Sequence, residues 1–465
     1  MKRNTILLFV AFCLGIVEGN AQYTVLHKFN GINGAMPEGT LTLAGKKLYG
    51  MTSLGGAYNL GCIFSIDTTG NNYKDMYDLN STSGDEPLGA LTIIGNKLYG
   101  MTFHGGTDGF GDIFSIDTNG VGFKILLDFN STNGSFPYGD LTLSGNKLYG
   151  MTDYGGIYNW GCIFSIDTNG SDYKKIFDFN GTNGLGPLGS LTISGKMLYG
   201  ITHGGGIYAL GTIFSIDTNG NGYRDLLDFN DTNGGEPYYT TLVLSRGTLY
   251  SMTQTGGVNN RGCVFGIDTN GTHYKDLFDF DCTNGQYPLG SLILSGSVLY
   301  GMTYQSNCGL GNIFSIDTNG DGFINLYELE DTNGIDPTGS LIISGNTLYG
   351  MTGEGGIAEY GVIFSFKDTS ITTSIKELST TPALINVFPN PSNGIFTIKF
   401  LGTQNFVSGN IEVYNVMGQK VFSQFNIQNS TFNIDHSGQP DGVYLYRVIS
   451  KNGDFVGEGK LVIEK

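Results

Sequence analysis

The residues best suited to chemistry lie in a variable loop that recurs along the sequence. Two of its copies carry His104 and His203, and imidazole can donate or accept a proton near neutral pH. Other copies carry aromatic and acidic side chains, which suit a concave site that stacks a sugar or a peptide and fixes its orientation. The candidate ligand-binding residues are His104, Asp153, Tyr154, Trp160, His203 and Tyr304. The alternative is that these rings only pack against neighbouring segments.

Signatures of an enzyme are thin. The chain has five histidines, and it contains no HExxH zinc motif, phosphate-binding loop or Gly-x-Ser-x-Gly turn. An Asp recurs at one hairpin shoulder, from Asp67 to Asp317, where it can accept hydrogen bonds from backbone N–H groups. We therefore predict a binding or adhesion protein without catalytic residues. The alternative is a lyase or hydrolase of extracellular polysaccharide, which needs acid and base groups within hydrogen-bond reach.

One stretch, DTNGDGFINLYE, has the spacing of a calcium-binding EF-hand loop. Its oxygen ligands would be Asp317, Asn319, Asp321 and Glu328. An EF-hand needs a helix on each side, whereas strand-like segments flank this loop and a sister segment reads DTNGNGYRDLLD. We interpret the match as sequence variation between copies of one hairpin. Weak calcium binding is the alternative. We predict no other metal and no cofactor.

The elements that must position these residues come from a repeat of about 50 residues. Each copy has four short β-type runs separated by Gly/Asn turns, and 74 glycines argue against long helices. Four antiparallel strands in 40–50 residues are typical of a propeller blade. We therefore predict an all-β fold with a seven-bladed β-propeller; the rival β-helix has shorter coils. The repeated tyrosine lies at Tyr49, Tyr99, Tyr149, Tyr199, Tyr250, Tyr300 and Tyr349.

The phase of the repeat predicts how the two ends of the array meet. Residues 23–30 (YTVLHKFN) have the sequence of a fourth, outermost strand but follow no inner strands. The seventh repeat has a third strand at Ile363–Phe366 and no fourth strand after it. We therefore predict that residues 23–30 pair with Ile363–Phe366, which closes the ring and hides two sheet edges.

The repeats resemble the GloVer family of tandem repeats, whose unit reads dGnLYGtT…GG…G.iF.id..G. The resemblance covers residues 23–366. It implies a propeller-like fold and says little about activity.

The two ends of the chain predict export. Residues 1–21 combine basic Lys2 and Arg3, a short apolar run and a small-residue cleavage site, as in a signal peptide. The propeller is predicted over 22–367 and a Ser/Thr-rich linker over 368–384. No later stretch is long and apolar enough to span a membrane. The net charge of −17 disfavours nucleic-acid binding, which needs a basic face.

Residues 385–465 form a different β module with the motifs VFPNPSNGIFTI, IEVYNVMGQKVF and DGVYLYRV. This module resembles the type A sorting domain of the type IX secretion system of Bacteroidetes. The resemblance implies a small immunoglobulin-like sandwich, the type IX machinery as partner, passage across the outer membrane, and an extracellular or cell-surface location. The null alternative is an accessory β-sandwich. The matching residues are Pro389, Asn390, Pro391, Gly394, Gly418, Gly442 and Tyr444.

The cysteines fall into two groups. Three share one repeat position before the third strand, and we interpret them as small buried apolar residues: Cys62, Cys162 and Cys263. Cys282 and Cys308 stand where other repeats have different residues. Cys282 lies in the loop that leads into the sixth repeat, and Cys308 lies in the loop after the second strand of that repeat. Because an exported chain meets an oxidising compartment, we predict that these two form a disulfide. The alternative is two free thiols.

Overall fold

Short antiparallel strands make up every described element of the computed structural model, and no helix occurs among the described residues. The chain divides into two units, Met1–Ile371 and Thr372–Lys465. The structure describes residues 22–306, 310–356, 358–368, 385–400, 409–415, 420–427, 431–450 and 455–465. The predicted signal peptide and most of the predicted linker therefore lie outside the described residues.

The strands of the N-terminal unit recur in the same order in each repeat, after a leading strand β1 (Gln22–Lys28). The first strands are β2 (Thr42–Ala44), β6 (Thr92–Ile94), β10 (Thr142–Ser144), β14 (Thr192–Ser194), β18 (Val243–Ser245), β22 (Ile293–Ser295) and β26 (Ile342–Ser344). The second strands are β3 (Lys47–Thr52), β7 (Lys97–Thr102), β11 (Lys147–Thr152), β15 (Met197–Thr202), β19 (Thr248–Thr253), β23 (Val298–Thr303) and β27 (Thr347–Thr352). The third strands are β4 (Cys62–Asp67), β8 (Asp112–Asp117), β12 (Cys162–Asp167), β16 (Thr212–Asp217), β20 (Cys263–Asp268), β24 (Asn312–Asp317) and β28 (Val362–Lys367). The fourth strands are β5 (Lys74–Asp78), β9 (Lys124–Asp128), β13 (Lys174–Asp178), β17 (Arg224–Asp228), β21 (Lys275–Asp279) and β25 (Ile324–Glu328).

Each repeat forms its own four-stranded sheet, and the last sheet borrows its outer strand from the start of the chain. Its order is β1-β28-β27-β26. Tyr23 pairs with Phe366 and Val25 with Phe364, and the register shifts between Val25 and His27. The pairing predicted for residues 23–30 with the third strand of the last repeat is therefore present in the structure.

Apolar side chains between neighbouring sheets form the core. Tyr49 and Ile63 of the first repeat pack with Leu98 and Phe114 of the second, and the same arrangement recurs along the array. One cluster joins the first and the last repeat, with Phe64 packed among Tyr349 and its neighbours. Consecutive residues of the second and third strands are buried, so both faces of each sheet are covered, which explains why one such sheet cannot fold alone.

A chain of hydrogen bonds links the segments that lead into the first strands. Each backbone N–H donates to a side-chain oxygen of the next repeat, and the chain crosses from the last repeat to the first. The bonds run from Ala90 to Asp140 (2.5 Å), Asp140 to Ser190 (2.7 Å), Ser190 to Thr241 (2.9 Å), Thr241 to Ser291 (2.8 Å), Ser291 to Ser340 (2.8 Å) and Ser340 to Thr40 (2.9 Å). Ala90 has no side-chain oxygen to offer the N–H of Thr40, so this side-chain link is missing there.

We expect the substitution Ala90→Ser to supply the missing acceptor. One further hydrogen bond should raise the free energy of unfolding by about 0.5–1.5 kcal/mol. Urea unfolding measures the change, and Ser291→Ala is the matched control that removes one link and should lower stability. No effect of either substitution would show that the chain of bonds does not stabilise the array.

The first residue of the third strand is buried and holds a hydrogen-bond donor in several repeats. The Cys62 thiol lies 3.7 Å from the carbonyl oxygen of Asn33. Asn312 donates from Nδ2 to the carbonyl of Asn284 (3.1 Å) and accepts from Thr303 (2.7 Å). Cys62, Cys162 and Cys263 are buried free thiols, as predicted, and burial raises the pKa of each to about 12.

The second repeat places Asp112 at this buried position. The side chain is fully buried, and among the described residues neither carboxylate oxygen has a partner with hydrogen-bond geometry. Burial raises the pKa of Asp112 to about 8, with the charge of Asp128 adding to the effect. The folded protein therefore holds this carboxyl protonated at neutral pH, where the unfolded chain would ionise it.

We expect Asp112→Asn to stabilise the protein by about 1–3 kcal/mol at neutral pH, because the amide needs no proton and can bond as Asn312 does. The folded pKa lies above the unfolded one, so the contribution of Asp112 is present below about pH 4 and is lost as pH rises towards 8. The gain from the substitution should therefore grow over that range.

Urea unfolding at several pH values measures this gain. Asn312→Asp is the matched control, because it introduces the same carboxyl at the same position of the sixth repeat. It should lower stability with the opposite pH dependence. A gain from Asp112→Asn that does not change with pH would contradict the assignment.

The C-terminal unit contains seven described strands in two antiparallel sheets. One sheet has the order β29-β30-β33 and the other β32-β31-β34-β35. Side chains of both sheets, including Phe396 and Val448, meet in one buried cluster. The strands are β29 (Ile385–Phe388), β30 (Ile395–Phe400), β31 (Gly409–Asn415), β32 (Lys420–Ile427), β33 (Thr431–Asp435), β34 (Gly442–Ser450) and β35 (Phe455–Ile463).

Candidate functional site

A cavity of about 430 Å³ lies on the face that carries the variable loops. Five consecutive repeats contribute to its wall, and six of the lining residues are aromatic. The lining residues are Glu38, Glu86, Leu88, Phe103, Tyr138, Asp153, Tyr154, Trp160, Leu185, Gly186, Leu188, His203, Tyr238 and Tyr239. Its size is that of a pocket for a small molecule or a short piece of a polymer.

Backbone hydrogen bonds bring two variable positions of the repeat together at this face. The backbone N–H of the residue after the second strand donates to the carbonyl of the residue that precedes the Pro of the same repeat. Asp153 donates to the carbonyl of Phe136, and His203 donates to that of Gly186, each at 3.1 Å. The repeat scaffold thus fixes the backbone, while the side chains at both positions differ between copies.

Gly186 leaves room in the wall where sister repeats carry a side chain. Its φ is +59°, and the equivalent Glu86, Phe136 and Glu236 adopt +52°, +57° and +47° with side chains present. The backbone conformation therefore does not demand glycine here. A Cβ atom at Gly186 would lie 3.0 Å from Oδ1 of Asp153, so the carboxyl faces the space that the glycine leaves open.

Three side chains from different repeats meet at the inner end of the cavity. The rings of Tyr138 and Tyr239 stack with centroids 4.1 Å apart. The Tyr138 hydroxyl lies 3.5 Å from Oε2 of Glu38, which also accepts from Ser53 through Oε1 at 3.3 Å. Tyr239 occurs because the fifth repeat has one residue more than the others at this point, PYYTTL in place of PLGSL.

Apart from the tyrosines, the ionisable side chains that line the cavity are mostly carboxyl groups. Its lining holds three carboxyl groups and no Lys or Arg. Burial raises the pKa of Asp153 to about 7. Burial also raises the pKa of Glu38, with a further contribution from the charge of Glu86. The pKa of His203 is lowered by burial, so this imidazole is neutral at pH 7, and its Nδ1 is buried without a partner.

Four of the six candidate ligand-binding residues line this cavity: Asp153, Tyr154, Trp160 and His203. His104 is not among the lining residues, but its Nε2 lies 3.4 Å from Oε2 of Glu86, which is. Tyr304 lies in the sixth repeat, away from the cavity. Burial raises the pKa of its hydroxyl, and the charges of nearby Asp336 and Glu354 raise it further.

Sequence reasoning missed the part of the wall that comes before each first strand. Glu86 and Gly186 occupy the variable position before the invariant Pro of each repeat, and Glu38 and Tyr138 occupy the variable position after it. Variation at those two positions, on either side of an invariant Pro, was the available signal.

The predicted calcium loop forms the hairpin between β24 and β25. Asn319 Nδ2 donates to Asp321 (2.9 Å), and the backbone N–H of Asp317 donates to the carbonyl of Asp321 (3.0 Å). Glu328 pairs with Asn312, at the end of the hairpin away from this turn. Because the register separates Glu328 from Asp317 by the length of β24, these residues do not form one EF-hand-like ligand set.

The predicted Cys282–Cys308 bridge stays a prediction, because Cys308 lies outside the described residues. Cys282 is half-buried. It sits in a tight turn at φ +80°, with its N–H donating to the carbonyl of Gly285 at 3.2 Å. Backbone bonds between the two loops join Gln286 to Gln305.

The PNP motif of the C-terminal unit is fixed against the last strand. Asn390 Nδ2 donates to the carbonyl of Lys460 (2.6 Å), and the N–H of Val462 donates to Asn390 Oδ1 (2.8 Å). The neighbouring Ser392 donates its N–H to the carbonyl of Val462 (2.9 Å). The amide of Asn390 thus pairs with β35 as a strand backbone would, between Pro389 and Pro391.

The remaining motif residues of this unit have structural roles. Gly394 has φ +106°, and a Cβ there would lie 2.6 Å from Cα of Ser437. Tyr444 is buried in the core and its hydroxyl donates to the carbonyl of Pro440 at 2.9 Å. Gly442 begins β34. Gly418 lies outside the described residues.

Comparison with known families identifies both parts of the chain. The Gloeobacter/Verrucomicrobia repeat matches residues 14–214 and 194–383. The chain belongs to this repeat family. The secretion system C-terminal sorting domain matches residues 386–464. This confirms the type IX sorting domain expected from the three motifs.

Solved structures with a similar arrangement are distant in sequence. The extracellular domain of a protein described as a hybrid two component system, from B. thetaiotaomicron, is 13% identical, with a TM-score of 0.47 over 96% of this chain and 59% of that one. The tricorn protease is 10% identical, with a TM-score of 0.38 over 93% and 40%. A polysaccharide lyase is 11% identical, with a TM-score of 0.43 over 77% and 94%. This chain thus spans two to three fifths of the first two. A comparison with curated proteins found no match.

The sorting domain directs the protein across the outer membrane, to the cell surface or the medium. Among the described residues, no helix has the length and apolar character needed to cross a membrane.

We expect deletion of residues 386–465 to leave a folded N-terminal unit that stays in the periplasm, because that unit has its own core and loses only the sorting signal. Cell fractionation and protease treatment of intact cells measure the location, with the full-length chain as control. Normal surface delivery of the truncated protein would contradict this expectation.

Proposed function

We propose that the protein is a non-enzymatic binding module that holds a carbohydrate in the cavity between its variable loops. The seven sheets would form a closed seven-bladed propeller over residues 22–367. Support comes from the β1–β28 pairing, the Ser340–Thr40 hydrogen bond and the apolar cluster that joins the first and last repeats. The C-terminal sheets would form the immunoglobulin-like sandwich of residues 385–465.

The observation that carries this proposal is the aromatic wall of an open cavity. Tyr154 and Trp160 are each 42% exposed, although rings of this size are usually buried more fully. Exposed rings beside a few polar groups suit a sugar, whose apolar face stacks on a ring while its hydroxyls bond at the edges. The same loops expose Tyr158, Tyr208 and Ile207.

A second candidate function is hydrolysis of a polysaccharide. The observation that favours it is Asp153, whose pKa of about 7 would let it donate a proton at neutral pH. A glycosidase would need a second carboxylate across the bond, and Glu86 lines the same cavity. Release of reducing ends from a bound glycan, and its loss in Asp153→Asn, would favour this function over binding alone.

Filling the cavity tests the binding proposal. In Gly186→Phe the new ring takes the conformation that Phe136 already adopts one repeat earlier, so the fold should persist. We expect the variant to lose at least about tenfold in glycan affinity, because the ring occupies the space that faces Asp153. Binding of the mature chain to a glycan array, followed by titration of the best ligand, measures the change.

The matched control is Asp336→Phe, at the equivalent position of the seventh repeat. Asp336 has φ +54° and does not line the cavity. Its substitution should leave affinity unchanged. Equal affinity of Gly186→Phe and the wild type would show that this cavity is not the binding site.

A further inference from the structure

We infer that the cavity selects a sugar with a free amino group, and that the ammonium lies between the carboxyl of Asp153 and the aromatic wall. This inference rests on the proposed carbohydrate binding and names the class of sugar. It follows from the charges and the rings that line the cavity.

The charges of the lining are of one sign. Glu38, Glu86 and Asp153 contribute carboxyl groups, and no Lys or Arg faces them from the lining. The nearby imidazoles are His104, beside Glu86, and His203, which burial keeps neutral at pH 7. An acidic sugar would add a negative charge to this cavity, where no cation of the lining could pair with it. Uronic acids and sulfated sugars are therefore disfavoured.

The carboxyl of Asp153 is placed to meet a ligand rather than a protein group. Its Oδ1 faces the space above Gly186, and the fold supplies it with no basic partner from the lining. An ammonium group in that space would provide both the charge and the hydrogen bonds that this carboxyl lacks.

The aromatic rings add a second attraction for a cation. Phe103, Tyr138, Tyr154, Trp160 and Tyr238 surround the cavity, and the faces of such rings attract ammonium groups. An uncharged N-acetyl group in the same place gains neither the ion pair nor the cation–π contact. Aromatic rings together with carboxyls thus distinguish an amino sugar from its acetylated form.

Proton linkage gives the inference a second readout. Free Asp153 is about half protonated at pH 7, so binding of an ammonium should expel a proton from it. Affinity should rise as pH increases towards 7 and fall again once the sugar amine loses its proton. The other titratable groups at the cavity are Glu38, Glu86 and His203 in its lining and His104 beside Glu86.

The test compares short β-1,4-linked glucosamine oligomers with their N-acetylated forms and with oligogalacturonate, by calorimetry on the mature chain. We expect about tenfold tighter binding of the free amine, the size of one ion pair and cation–π contact. Proton release is measured by repeating the titration in buffers of different ionisation enthalpy. Asp153→Asn should reduce the preference to less than about twofold, and Asp336→Asn, outside the cavity, should retain it.

The outcomes separate this inference from the proposed function. Equal or tighter binding of the N-acetylated oligomer, lost in Gly186→Phe, would overturn the amine preference and leave carbohydrate binding standing. Binding of oligogalacturonate would overturn the charge argument. Failure of every saccharide to bind would overturn both. Binding of lysine peptides in place of sugars would overturn the assignment to a sugar.

Discussion

The close approach of the segments that lead into neighbouring first strands is the constraint on which the N-terminal unit depends. A Cβ atom at Gly39 would lie 2.2 Å from the carbonyl oxygen of Gly89, and one at Gly339 would lie 2.2 Å from that of Gly39. Six of the seven repeats have glycine at this point, where a side chain would collide with the neighbouring backbone, and the fifth repeat, which is one residue longer here, has Thr240. The small hydroxyl residues that follow, such as Thr40 and Ser340, then reach the next backbone N–H.

Much of the fold could be predicted from the sequence, because the same pattern of strands and turns occurs in every repeat. Asn-Gly turns, alternating apolar residues and the orphan strand at residues 23–30 together specified the four-stranded sheets and the β1–β28 pairing. A single copy of the repeat could not have done so, since short strands have weak individual signals.

The candidate site was harder to predict from the sequence, because it depends on contacts between repeats whose side chains differ. Asp153, Trp160 and His203 were selected from loop variation, but Tyr304 occupies the same loop position and lies away from the cavity. Sequence cannot tell which of seven equivalent loops surrounds an opening. That depends on two local departures: the glycine at position 186 and the extra residue that places Tyr239 against Tyr138. In both cases the strands keep their regular arrangement. The glycine opens the space beside Asp153, and the extra residue allows the two tyrosine rings to stack.

The three buried cysteines have a consequence for how opening of the array can be observed. The thiolate is the reactive form of cysteine, and burial raises the pKa of Cys62, Cys162 and Cys263 to about 12. While the sheets are closed, these thiols are inert towards oxidants and alkylating reagents. Separation of the second and third strands of a repeat would restore ordinary reactivity to its own cysteine. Because the three lie in the first, third and fifth repeats, the molecule carries evenly spaced internal reporters of local unfolding, each reading the stability of its own section.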